Sequence, residues 1–402
     1  MQVSTKNSEN ILQHIARVME FIYRNRIVSR AKIATELKLA PATVTHIVTD
    51  LIRQQKIFET GHEIRERKGS GRSRKVLSIN ENRSYLIGIE FTVKGIAVVT
   101  TNTVGKILAT NYIKMGDYSL ENINHVIISL IEEMLLQYEE LHCSGVGISI
   151  PGHFDTLQQS IVSNNQNWNH FNLNEIKKKI QLPIVIENNV ECMALAEYLF
   201  DSEESPDQFL FLHIGPGIFA SFFHHQRIAV KKNHYIGELG HTIVDIQGQP
   251  CECGKRGCLQ TYISDTWLIE NAKLLFTYSS NTVLKSLVNS PEEIDLSIVI
   301  HAYQLGDSFI MDKIEAGLQF LAMSISNTLI LYDAHKIFIN SELLNQLDLK
   351  DKLIERINRQ LHFIPTKNNL DVEVLDFTPY RGARGACALA AYHTIVHTAD
   401  ER

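Results

Sequence analysis

Three of the six cysteines, Cys251, Cys253 and Cys258, fall within one eight-residue segment as C-x-C-x4-C, with His241 ten residues upstream. Three thiolates and one imidazole are the donor set of a tetrahedral zinc site. With all four positions taken by protein atoms no coordination position is open, so the expected ion is structural, one zinc per chain. Gly254 and Gly257 permit the tight loop that ligands so close in sequence require. The alternative is three reduced core cysteines, against which the glycines and His241 argue. Residues 1–10 are polar and lack the apolar run of a secretory signal, so the protein is read as cytoplasmic, where such a cluster points to metal before disulfide.

A second set of residues suits nucleic acid. Residues 1–80 hold 15 Lys and Arg against 7 Asp and Glu, a balance of +8; with −6 for the whole chain, residues 81–402 carry −14. A small basic module that meets a polyanion, attached to an acidic body, fits that asymmetry. Within it Ala42, Thr43, Thr45, His46, Thr49 and Arg53 would line the outer face of one helix, with short polar side chains that can enter a major groove and methyls that can touch a thymine methyl. Downstream, Lys68, Arg72 and Arg74 sit among Gly69, Ser70 and Gly71, cations on a turn able to follow phosphates or probe a minor groove.

These groups need a scaffold. Ile11, Ile15, Val18, Met19 and Ile22 recur at helical spacing, which predicts a first helix over 10–24. Ser29 can cap a second helix over 30–37, with Ile33, Ala34 and Leu37 inward, and Pro41 suits the first turn of a third, whose buried stripe is Val44, Ile47, Val48 and Leu51. Strands over 56–59 and 75–79 flank the basic turn. The pattern is a winged helix-turn-helix, in preference to a three-helix cap with a solvated basic loop.

The chain's 402 residues predict two or three domains, and 44% apolar with 21% charged residues exclude a disordered or fibrous protein. The longest apolar stretch, 209–223, is broken by His213, Gly215, Pro216 and Gly217 and reads as strands rather than a membrane span. From Tyr85 onward, strands over 86–89, 95–100, 106–112, 145–150, 184–186 and 209–214 alternate with helices over 120–141, 174–180 and 191–200, an α/β body. A boundary is expected near 80–84. The Ala-rich segment 384–396 reads as a helix returning to the first lobe.

Four motifs of this body, Gly145-Val146-Gly147-Ile148-Ser149-Ile150-Pro151-Gly152, Glu187-Asn188-Asn189, Gly237-Glu238-Leu239-Gly240-His241 and Cys251 to Cys258, occur in an order and spacing that resembles the ROK family of repressors, open reading frames and kinases. With the winged helix in front, the chain is similar to the repressor branch, which holds the xylose, N-acetylglucosamine and Mlc types. The resemblance implies a two-lobed actin-like, ribonuclease-H-like sugar-kinase fold with a sugar site between the lobes. It also implies a homodimer or tetramer. The domains expected are 1–80, then 81–190 with 385–402 as the first lobe, and 191–384 as the second lobe with the zinc site. By the family pattern Asn188, Asn189, Glu238, His241 and the residue two after the last cysteine hold the sugar; that residue is normally Glu and is Gln260 here. Asn164 or Asn165, just before Trp168, adds a contact.

Family kinases begin with Asp-x-Gly-Gly-Thr, where this chain has Glu90-Phe91-Thr92-Val93-Lys94, and bulky Phe91 and Val93 are expected to obstruct a phosphate cradle. In the second glycine-rich loop Pro216 removes a donor and Phe219 fills space, and residues 336–341 lack the family's nucleotide glycine pair. The kinases' general base is the Asp of Glu-Asn-Asp, and here it is Asn189, a change that costs roughly 10²- to 10⁴-fold in rate. The expectation is no catalysis, but a DNA-binding regulator of carbohydrate uptake or catabolism genes, of repressor type. It would bind double-stranded operator DNA and sense a sugar or sugar phosphate in a vestigial kinase cleft. Two alternatives stand beside it: a sugar kinase with a fused DNA-binding domain, and a regulator switched by a sugar-transport protein, as the Mlc type is.

Overall fold

Ser29 and Pro41 frame the second and third helices as their chemistry suggests. In the computed structural model, which describes residues 2–64, 74–155, 157–162, 168–201, 205–224, 233–363 and 370–397, the Ser29 side chain accepts from Lys32 N at 3.3 Å and opens the helix Arg30–Glu36. Pro41 occupies the first turn of the helix Pro41–Arg53, which buries Val44, Ile47, Val48 and Leu51. The first helix, Gln2–Asn25, is longer than expected. Val18, Met19 and Ile22 enter the core, whereas Ile11 stays 56% exposed, because only the second half of this helix lies against the rest of the module. Ile33 is buried, while Ala34 and Leu37 are half-buried. Strands Val28–Ser29, Arg74–Ile79 and Ile57–Ile64 pair antiparallel in that spatial order, giving the wing sheet.

The body contains two versions of one sheet plan. In the first, Tyr85–Thr92 pairs antiparallel with Gly95–Asn102, which pairs antiparallel with Ile107–Lys114; on its other side Tyr85–Thr92 runs parallel to Cys143–Ile150, itself parallel to Ile184–Asn188. In the second, Gln208–Ile214 pairs antiparallel with Ile218–His224 and parallel with Lys336–Ser341, which is parallel to Asp371–Val374. A hairpin followed by parallel strands added on the side of its first strand is the repeated unit of an actin-like fold.

The chain divides into two compact units, Met1–Ser205 with Pro379–Arg402, and Pro206–Thr378. The expected divisions near 80, 190 and 384 differ from these, and the contacts explain why. Tyr23 Oη donates to Thr103 O, Arg26 Nη2 to Val104 O and Arg83 Nε to Gln54 O, and the winged module thereby joins the first unit. The helix Asn189–Leu199 also stays there, held by an ion pair of 2.7 Å between Glu197 and Arg381.

The returning C-terminal helix spans Arg381–Ala391 and continues as a π-helical turn, Tyr392–Val396. Its small residues Ala383, Ala386 and Ala388 are buried against the first sheet. The approach is so close that a Cβ at Gly88 would sit 1.9 Å from Ala383 O, and one at Gly147 1.8 Å from Ala386 O. The opposite side of the sheet is covered by Ile127, Ile131 and Ile176 of helices Ile123–Gln137 and Leu173–Lys179. In the second unit the 24-residue helix Ser308–Leu331 is long and apolar enough to cross a membrane, yet Ile314, Leu318, Leu321 and Ile325 are buried in the unit's own core.

Candidate functional site

On the helix Pro41–Arg53, Ala42, Thr45, His46, Thr49 and Arg53 are exposed and Thr43 is half-buried. The Thr45 hydroxyl donates to Pro41 O at 2.8 Å and that of Thr49 to Thr45 O at 2.7 Å, so both present oxygen lone pairs outward, as acceptors. Asp50, which sequence reasoning missed, meets His46 Nδ1 at 3.4 Å and Arg53 Nη2 at 3.0 Å and thus orients both side chains. Lys68 and Arg72 lie outside the described residues; Arg74 begins a strand, and its side chain lies outside them.

In the second unit, one ligand atom from each of His241, Cys251, Cys253 and Cys258 lies within 4.8 Å of the others. Cys251 Sγ is 3.6 Å from His241 Nδ1 and Cys253 Sγ is 3.6 Å from Cys258 Sγ. Zinc bonds of about 2.3 Å to sulfur and 2.0 Å to nitrogen imply tetrahedron edges of about 3.5–3.8 Å. Two of the edges match that tetrahedron, and all four donors lie close enough together to hold one ion. Gly254 and Gly257 have φ of +85° and +67°, and a Cβ at Gly257 would sit 1.5 Å from Asp245 O, so the loop closes only with glycine there. Burial first, then the neighbouring thiols, pushes Cys258 up to about 12; a bound cation would reverse that balance.

Glu238 and His241 bracket one 3₁₀ turn, His241 N donating to Glu238 O at 3.1 Å. This places Glu238 within a turn of the metal ligand. Phe219 packs on the preceding glycine: Gly237 has φ +98°, and a Cβ there would lie 2.3 Å from the Phe219 ring. Gln260 is 9% exposed, and its Nε2 donates to Glu252 Oε1 at 2.9 Å. Sequence reasoning did not anticipate this Glu252 partner, although a carboxylate between two ligand cysteines was visible. Nor did it anticipate His213 and Asn340, side by side at 3.0 Å on neighbouring strands.

In the first unit the two asparagines are tied to their own surroundings. Asn188, 2% exposed, caps the helix Asn189–Leu199: its Oδ1 accepts from Val190 N at 2.9 Å and Glu191 N at 3.3 Å, and its Nδ2 donates to Gly152 O at 2.8 Å. Asn189 Nδ2 donates to Glu90 Oε1 at 3.3 Å. Glu90 also accepts from the backbone N–H of Gly382; burial, opposed by these two bonds, lifts its carboxyl from 4.5 to about 7. The expectation that Phe91 obstructs a phosphate cradle needs correction. Alternate strand residues face opposite sides, so Phe91 points into the core, its ring 5.2 Å from those of Trp168 and Phe171, and the residue on the Asn189 side is Glu90. Asn164 and Asn165 lie outside the described residues.

Comparison with known proteins places these features. The model of the ROK family matches residues 86–393, beginning just past the winged module. The xylose repressor of Caldicellulosiruptor bescii is 27% identical over 365 residues, 89% of this chain and 90% of that one. The DNA-binding transcriptional dual regulator NagC of Escherichia coli is 24% identical over 381 residues, 93% and 91% of the two chains. Among solved structures, a ROK family transcriptional regulator, a homolog of the Escherichia coli Mlc protein, superposes with a TM-score of 0.74 at 23% identity over 95% of this chain and 98% of its own. A ROK family glucokinase from Streptomyces griseus, solved with glucose and AMPPNP, gives 0.64 at 22% identity over 76% and 99%. Because the family model spans well over half of the sequence, both sheets included, the chain belongs to the ROK family.

Proposed function

We propose that this protein is a sugar-responsive, DNA-binding transcriptional regulator of repressor type, acting in the cytoplasm on genes of carbohydrate uptake or catabolism. The observation that carries the reading is the winged helix itself: an exposed polar helix face, Ala42 to Thr49, built into the same compact unit as the first sheet of a ROK body. Relatives named xylose repressor and NagC, matched over four-fifths or more of both chains, support it.

The recognition helix reads base edges through the acceptor oxygens of Thr45 and Thr49 and through His46, with Arg53, and with Lys68, Arg72 and Arg74 of the wing on phosphates. The sugar or sugar-phosphate effector contacts Asn189, Glu238 and His241, with Asn164 and Gln260 as further candidates and Asn188 holding the turn beside them. Zinc is the ion for which three thiolates and an imidazole are suited. It would stabilise charge on the sulfurs and fix His241, and thereby the turn that carries Glu238.

Catalysis is not proposed. Asn189 is no base, and Glu90, which could be one, is bonded to Asn189 and to the Gly382 N–H. A dimer that places two winged helices on half-sites one or more helical turns apart completes the reading.

The test is fluorescence anisotropy of the purified protein on duplex DNA from its own upstream region at low ionic strength. Binding is expected to weaken with a slope in log salt, and one sugar of a panel of pentoses, hexoses, aminosugars and their phosphates should release the DNA. Equal DNA affinity with every sugar removes the effector, and ATP-dependent phosphorylation of any of them restores the enzyme reading.

A further inference from the structure

Two carboxylates, Glu90 and Glu20, bound the same pair of helices at opposite ends. At one end Glu90 accepts from Asn189, the first residue of Asn189–Leu199, and from the N–H of Gly382, at the start of Arg381–Ala391. At the other, Glu20 of the first helix accepts from Tyr198 Oη at 2.6 Å through Oε1 and meets His397 Nε2 at 3.3 Å through Oε2. Tyr198 closes the first helix of the pair, and His397 follows the turn that extends the second.

The two helices are packed closely: a Cβ at Gly385 would fall 2.6 Å from the Cys192 backbone, and Arg381, which opens the second helix, reaches across to Glu197 in the last turn of the first at 2.7 Å. Eleven residues at 1.5 Å rise make a rod about 16 Å long. Beyond Tyr198 the same chain segment takes two more bonds from the winged module, Arg26 Nη2 to Phe200 O at 2.7 Å and Arg24 Nη2 to Ser205 O at 2.9 Å.

We propose that this helix pair is the strut through which the Asn188–Asn189 end and the winged helix sense each other, with Glu20 as the joint and Tyr198 and Glu20 as its positioning residues. The inference rests on the regulator reading above. Glu20 and Tyr198 are each 1% exposed, so water cannot replace their hydrogen bond. A displacement of the helix start is passed to the recognition module or leaves a buried carboxylate with a partner missing. Coupling is reciprocal, so the strut can be read from the DNA side without knowing the sugar.

The experiment measures amide hydrogen exchange of the full-length protein with and without a duplex from its own upstream region. The amides to follow are those of Val190 and Glu191, which the Asn188 cap protects. DNA should change their protection by about five-fold or more, the low end of ordinary coupling factors. Tyr198→Phe, which cannot donate to Glu20, should still bind DNA but leave those amides unchanged. Glu20→Gln keeps an acceptor for Tyr198 and should behave as the wild type does.

Wild-type amides indifferent to bound DNA, or a Tyr198→Phe protein that transmits fully, would overturn the strut and leave the regulator reading intact. No DNA binding by the wild type would remove both. Should Tyr198→Phe fail to fold, the wild-type comparison still decides, because amides of Val190 and Glu191 that ignore bound DNA overturn the strut.

Discussion

The polar groups of the two units are held in place by different means. In the first unit Asn188, Asn189 and Glu90 are fixed by buried hydrogen bonds to one another's helices and turns. In the second, Glu238 and His241 stand on a short turn whose neighbour is a loop of bridge geometry, where His241 and three cysteines cluster closely enough to hold a metal ion. The first arrangement is specified by packing and so should be sensitive to protonation and to cap chemistry. The second is specified by coordination and so should be sensitive to metal.

The largest difference should come from the metal. Structural zinc contributes about 10–16 kcal/mol of binding free energy in small zinc-finger peptides, and roughly several kcal/mol are expected here, where a folded unit surrounds the loop. Elemental analysis is expected to find one zinc per chain, and Cys258→Ser should abolish it and open the segment His241 to Cys258 to limited proteolysis. Protection of the first unit should not change. Equal cleavage rates in both proteins would remove the contrast.

Next comes Glu90. Its folded value of about 7 lies above the 4.5 of an ordinary glutamate, so between these pH values the folded state holds more proton than the unfolded one. Stability from this group is therefore full below pH 4.5 and lost as pH rises through 7, a loss of about 3 kcal/mol by pH 8. Glu90→Gln can still accept from Asn189 and Gly382. It should raise the melting temperature at pH 8, leave it nearly unchanged at pH 4.5, and flatten the profile between.

Asn188→Ala removes a helix cap and the donor to Gly152 O, for about 2 kcal/mol, measurable by urea unfolding. The smallest effect is expected from Gln260→Glu, which sets a second carboxylate against Glu252. At roughly 1 kcal/mol, it should be visible at pH 8 and low salt and shrink in high salt, because Glu252 is exposed although Gln260 is buried. An equally large effect in high salt would show that shape rather than charge fixes Gln260.

The sequence made legible whatever depends on local spacing. Helix stripes, the Ser29 cap, the Pro41 start and the four metal-ligand positions follow from periods and turn chemistry that act over a few residues. The body's family was carried by short motifs at turns. Pairings across long separations were not legible: Glu20 meets residues 178 and 377 positions away, and Gln260 turns to Glu252 rather than outward. The side of a strand on which Glu90 and Phe91 fall depends on what covers each face, and the cover on one face is a helix made some 290 residues later. The division into compact units depends on such long-range pairs too, since Arg381 and Arg384, by pairing with Glu197 and Asp201, keep residues up to 205 with the first unit.

The helix Arg381–Ala391 also sets a timetable for biosynthesis. It leaves the ribosome only after all of 206–378, so the middle of the polypeptide has every residue of its core while the earlier sheet still shows Gly88 and Gly147 uncovered. A nascent chain stalled at that stage already has the helix Pro41–Arg53, but Glu20 lacks its His397 contact and Glu90 its Gly382 donor. Truncated products of translation would therefore carry the exposed polar face of Pro41–Arg53 with no finished frame behind it.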